Sequence, residues 1–173
     1  MTSIRIISLA VAGILYFLAQ VLILKNLVLF GVAFCFLYLM FIILLPMEVK
    51  TIPSLLISFV LGLGVDMFYD TMGIHTSALL AVGFVRSRWL RMLVSSGTFD
   101  EDMQPTVVNM GLQWFLSYSL PLVLIHHVVF FYVESLGTGL FFDSLQKIIA
   151  SVIFVTIMSI IVQLLFYRRR RGI

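Results

Sequence analysis

Residues 57–76 read ISFVLGLGVDMFYDTMGIHT. The stretch opens as an apolar segment fit for lipid. It then brings two glycines, two aspartates four residues apart, a third glycine and a histidine. A carboxylate near a membrane interior is costly, so Asp66 and Asp70 need an explanation. The rest of the chain sets the terms. It has 173 residues, of which 62% are hydrophobic and 11% charged, with a mean hydropathy of +1.16. A soluble domain of this length could not hide that much apolar surface. The class is a polytopic membrane protein, and the polar stretches are too short for a second domain. The single cysteine, Cys35, rules out an internal disulfide.

Reading between charges gives the spans: 6–24, 27–47, 52–65, 71–85, 103–133 (with the helix starting near Pro105) and 148–167. Only helices satisfy their own backbone in lipid. The expected architecture is therefore all-α, with six transmembrane helices in one domain over residues 1–173. The first span is long and lacks a clear cleavage site, so it is read as retained. Six spans put both termini on one side. If that side is the cytoplasm, Arg5, Lys50, Arg86, Arg88, Arg91 and Arg168–Arg171 lie inside, against Lys25 and Lys147 outside. This is a clear positive-inside pattern. The basic tail is read as a contact for lipid headgroups, with Tyr167 at the interface, and not for nucleic acid.

Residues 53–85 number only 33, where two ordinary spans need about 40 before any turn. The third and fourth helices are thus expected to be short, with the bend from Asp66 to Gly73 tucked against protein. Gly62, Gly64 and Gly73 fit close helix approach and a broken turn at depth. Asp66 is expected to bond backbone or hydroxyl groups inside the fold, with a proton or ligand role as the alternative. Asp70 is expected to cap the fourth helix through DTMG. His75 can pair with either aspartate, or serve as a satisfied structural group.

The fifth span carries Asn109, Gln113 and Ser117 at helical spacing, ending at Pro121. Interhelical hydrogen bonding explains this stripe, and a solute-cavity wall is the alternative. Thr156, Ser159 and Gln163, on roughly one face of the last helix, are likewise expected to make interhelical hydrogen bonds. His126 and His127 diverge by about 100° on a helix and Glu134 is two turns away, so no zinc site is expected. They are taken as an ordinary outer helix end with Glu134 reaching water. ESLGTGLFFDSLQK, residues 134–147, is expected to lie on the outer surface. For Arg86, Arg88 and Arg91 topology is the expected role, and for Asp100–Asp102 helix-start electrostatics; contact with a cytoplasmic filament protein is the alternative. No GxSxG and no phosphate-binding loop is present, and Cys35 has no charged neighbour. No enzyme, cofactor or metal is expected.

The stretch FVLGLGVDMFYDTMGIHTSALLAVGFVRSRWL, residues 59–90, resembles the central hairpin of the MreD family, the rod shape-determining membrane proteins. That family carries a glycine, then an aspartate, then a glycine leading into a small-residue-rich helix. Here these are Gly62, Asp66 and Gly73. The six expected spans and basic tail also match. The resemblance implies a non-enzymatic scaffold in the bacterial inner membrane, serving lateral peptidoglycan synthesis. Its implied partners are a single-span MreC-like protein and, indirectly, an MreB-like filament, a RodA-like glycosyltransferase and a penicillin-binding transpeptidase. The fold it implies resembles the substrate-binding subunits of energy-coupling-factor vitamin transporters. A vitamin-binding subunit is accordingly the alternative function. Such subunits dock through alanines four apart on the first helix, whereas here Ser8 and Ala12 hold that spacing. Small residues on the first and fourth helices (Ala10, Ala12, Gly13; Ala78, Ala81, Gly83) would suit a scaffold's partner helix.

Overall fold

The structure is a computed structural model that describes residues 3–94, 103–136 and 141–167. Its elements in chain order are α1 (Ser3–Leu18), a π-helical turn (Ala19–Leu24), β1 (Val28–Leu29), β2 (Ala33–Phe34), α2 (Leu39–Ile43), α3 (Thr51–Tyr69), α4 (Ile74–Leu93), α5 (Val107–Met110), α6 (Leu112–Glu134) and α7 (Phe141–Phe166). The protein is mostly helical. Four stretches are long and apolar enough to cross a membrane: Ser3–Leu24, Thr51–Tyr69, Leu112–Glu134 and Phe142–Phe166. α4 is as long as α3 but carries Arg86, Arg88 and Arg91.

The second apolar run is not the expected helix. Residues 28–34 form a small antiparallel hairpin, with Val28 opposite Phe34 and Leu29 opposite Ala33. Its turn places Phe30 and Gly31 at φ 53° and 73°. Irregular chain and the short α2 follow. The run nevertheless passes from one end of the bundle to the other. The Lys25 ammonium donates to Phe68 O near the C-terminal end of α3, while Lys50 stands at its N-terminal end. Residues 35–45 are all buried.

The rule that only helices cross lipid applies to backbone that faces lipid. This backbone faces protein, and side chains of the surrounding helices supply the missing partners. Gln20 Nε2 donates to Cys35 O at 3.0 Å, and Gln20 Oε1 accepts from Tyr38 N at 3.3 Å. Ser151 Oγ accepts from Phe34 N at 2.9 Å. The Tyr118 hydroxyl donates to Ile43 O at 2.8 Å. The Arg86 guanidinium donates to the carbonyls of Leu45, Pro46 and Val49. Each of these polar residues is buried for a structural reason, since an unpaired backbone group there would cost about 1–3 kcal/mol.

The expectation of a stubby third and fourth helix is also corrected. α3 has 19 residues and α4 has 20, about 30 Å each. The error came from ending helices at charges. Arg86 does not seek water; its two terminal guanidinium nitrogens donate to three carbonyls, so α4 runs straight through it. Arg86 therefore has a structural role, which the reading from topology alone did not include. The last helix likewise begins at Phe141 and not near Ile148, so residues 142–147 are its first turns and not a separate surface piece. The fifth span is divided at Gly111, φ 82°, into α5 and α6, and does not start as one helix near Pro105. Residues 100–102 and 168–171 lie outside the described residues.

Candidate functional site

The α3–α4 joint is built on close approach. Ser54, Ser58 and Gly62 are buried at four-residue spacing on α3, and Gly83 is buried on α4. A Cβ on Gly62 would lie 2.5 Å from Thr76 Cα, and one on Gly83 would lie 2.6 Å from Ser58 Oγ. The helices touch because neither glycine carries a side chain. Ala78 is fully buried as well. Ala78 and Gly83 are therefore part of the bundle and are not free for a partner, contrary to the expectation from sequence. Gly64 faces α1, where a Cβ would meet the Phe17 ring at 3.1 Å.

Asp66 sits on the last turn of α3 at 4% exposure. Its Oδ1 accepts from Thr71 Oγ1 at 2.6 Å and from His75 N at 3.0 Å. Its Oδ2 accepts from Thr76 N at 2.9 Å and Thr76 Oγ1 at 2.5 Å. His75 and Thr76 are the second and third residues of α4, whose first backbone N–H groups lack helical partners. Asp66 thus caps α4 across the turn, and the negative charge suits the positive end of the helix dipole. The structural role expected for Asp66 is what the geometry displays.

The bend is tucked against protein only at Asp66, since Asp70 and Met72 are exposed, and Asp70 does not cap α4. It is exposed, has φ 55°, and ends α3 by donating its N–H to Asp66 O. Gly73, φ 86°, holds the N-cap position of α4 without a side-chain bond. Both positions use the left-handed region, which glycine and aspartate tolerate best. The polar stripe is also corrected. Asn109 Nδ2 donates to Gln104 O at 3.0 Å, a local bond. Gln113 and Ser117 are exposed, and Ser117 Oγ donates to Gln113 O within its own helix. The inward face of α6 is Phe115, Tyr118, Ser119, Leu122, His126 and Phe130. On α7, Thr156 and Ser159 bond within the helix, while Gln163 Oε1 reaches across to Val107 N at 2.8 Å.

His126 and His127 do not form an ordinary outer helix end but lie in the interior, and His75 takes the structural one of its two expected roles. The His75 ring pairs with neither aspartate. Its Nδ1 is 2.7 Å from the Tyr38 hydroxyl, which is also 2.8 Å from His126 Nε2. His127 donates from Nδ1 to Val123 O at 2.8 Å. Tyr38, His75, His126 and His127 are all fully buried. Phe36 fills the space among them, its ring centroid 5.4, 5.7 and 5.5 Å from those of His75, His126 and His127 and 4.5 Å from that of Phe130. Gln20 Nε2 extends the network to the Tyr69 hydroxyl at 2.7 Å. The available signal was the presence of histidines and a tyrosine in charge-free runs, which marks an intramembrane polar site. Among the described residues no group of three or more His, Cys, Asp or Glu is placed to hold a metal ion.

No protein-family model matches the chain, and neither the curated proteins nor the solved structures give a significant match. Its membrane character rests on the four long apolar helices, which make it compatible with a multi-pass membrane protein.

Proposed function

We propose that this protein is a non-enzymatic scaffold of the bacterial cell-elongation machinery, set in the inner membrane with both termini cytoplasmic. In this reading the chain crosses six times, by five helices and the irregular run of residues 27–47. It binds a single-span MreC-like partner and through it serves an MreB-like filament, a RodA-like glycosyltransferase and a penicillin-binding transpeptidase. The carrying observation is that Gly62, Asp66 and Gly73, which bear the resemblance to the MreD family, meet in one joint. The use of the polar interior supports the same reading. Gln20, Arg86, Tyr118 and Ser151 serve the chain's own backbone, and Phe36 fills the centre of the histidine cluster where a solute-binding subunit would need space. α1 buries none of its residues over Ser3–Leu18, which leaves an apolar face open to a second span.

The test is co-purification. The detergent-solubilised chain should retain a co-expressed MreC-like single-span protein and show no thermal shift across a vitamin panel. Vitamin-induced stabilisation that is lost in Asp66→Asn would overturn the scaffold reading in favour of a transporter subunit.

A further inference from the structure

The Tyr38 hydroxyl stands between two imidazoles, and each imidazole has one nitrogen left over. His75 Nε2 and His126 Nδ1 are buried and have no hydrogen-bond partner. Neutral histidine carries one ring hydrogen and the phenol carries one, so the unit holds three hydrogens. It offers four places for them: the His75–Tyr38 gap, the Tyr38–His126 gap and the two outward nitrogens. With both gaps filled, one outward nitrogen bears a hydrogen and the other is a bare lone pair. Either can be the bare one. In one arrangement the phenol donates to His75 and His126 Nε2 donates to the phenol; in the other both bonds are reversed.

One vacant position in a unit with both internal bonds made has a direct chemical meaning. An added proton fills the vacancy and disturbs neither bond. We propose that Tyr38, His75 and His126 form a binding site for one excess proton, shared between α4 and α6. The shift that shares it balances: an imidazolium N–H passes its proton to the phenol oxygen while the phenol O–H passes its own to the opposite imidazole. The phenol is neutral before and after, and the positive charge has moved from one helix to the other. The other groups facing the unit are Asp66 and Tyr69 on α3, Cys35 ahead of α2 and His127 on α6. Asp66 supplies the countercharge, since its Oδ1 already accepts the backbone N–H of His75 at 3.0 Å. Tyr69 packs edge-on to His75 with centroids 4.7 Å apart. The nearby cations stand behind rings, Lys25 over Tyr69 at 5.3 Å and Lys147 over Phe131 at 5.9 Å. His127 is outside the unit, because it makes no bond to Tyr38: its Nδ1–H is committed to Val123 O, and its Nε2, also buried and unpartnered, has no hydrogen-bonded path to the phenol.

The experiment is an imidazole-¹⁵N NMR titration of the full chain in lipid nanodiscs. The pH is lowered from about 8 through 5 and on to the point of unfolding. The site requires His75 and His126 to titrate with one common midpoint and a total uptake of one proton, with His127 not following. Tyr38→Phe should abolish the common midpoint and leave two independent rings. Separate midpoints in the wild type, uptake of two protons, unfolding before any uptake, or a common midpoint that survives Tyr38→Phe would each overturn the proposal. If Tyr38→Phe fails to fold, the wild-type count decides alone: one proton shared by two rings supports the site, and two or none refutes it.

Discussion

Replacing Asp66 with alanine removes a carboxylate that accepts four hydrogen bonds. The hydroxyls of Thr71 and Thr76 can rotate to other acceptors. The backbone N–H groups of His75 and Thr76 cannot, because no earlier helical carbonyl lies within reach at the first turn of α4. Each buried N–H left unpaired costs about 1–3 kcal/mol, so Asp66→Ala should destabilise by about 2–6 kcal/mol. Asp66→Asn keeps one acceptor oxygen but turns an amide donor toward other donors, and should cost about half as much. Asp70→Ala is the control. Asp70 is exposed, so the change costs only the strain of alanine at φ 55°, about 1 kcal/mol. Asp70→Gly should match or exceed the wild type. The assay is sodium dodecyl sulfate titration of the protein in mild-detergent micelles, followed by circular dichroism. Asp66→Ala within about 0.5 kcal/mol of wild type, or no worse than Asp70→Ala, would refute the capping account.

The other expectations concern packing, charge and access. Gly62→Ala should separate α3 from α4 and destabilise by about 1–3 kcal/mol, whereas Gly64→Ala should cost less in the same titration because the Phe17 ring edge can swing away. Arg86→Lys should lose about 2 kcal/mol, since a single ammonium cannot span the three carbonyls that the planar guanidinium reaches; unchanged stability would show that those bonds contribute nothing. Met72→Cys in a Cys35→Ser background should react with a membrane-impermeant maleimide added outside the cell, as Met72 is fully exposed at the α3–α4 turn. Native Cys35, at 2% exposure, should stay unlabelled until the protein is denatured. Labelling of residue 72 from the cytoplasmic side alone would reverse the proposed orientation.

What the sequence made legible follows from what each signal measures. Asp66 was readable because a carboxylate in an apolar run has few stable solutions, and donation from backbone and hydroxyl groups is the commonest. Gly62 was readable for a similar reason, since two helices can approach this closely only where side chains are absent; Gly83, expected on a free surface, and Gly64, which turns to α1, were not. The run 27–47 was not readable as irregular, because an unbroken apolar stretch has the same composition in a lipid-facing helix and in a buried strand or coil. What distinguishes them is which other residues surround the run, and those are Gln20, Tyr118, Ser151 and Arg86, distant in sequence. Arg86 misled for a related reason: ending a span at a charge presumes that the charge goes to water. The exposure of Gln113 and Ser117 shows that polar spacing identifies a face of α6 without saying which way it turns.

The irregular run also constrains how the protein is made. Residues 27–47 cannot rest in lipid in their final shape, because their exposed amides and carbonyls have no hydrocarbon partner. The donor from Arg86, the hydroxyl of Tyr118 and that of Ser151 are translated later. The run's bonds in the final shape therefore cannot all form until α7, which carries Ser151, has joined the bundle.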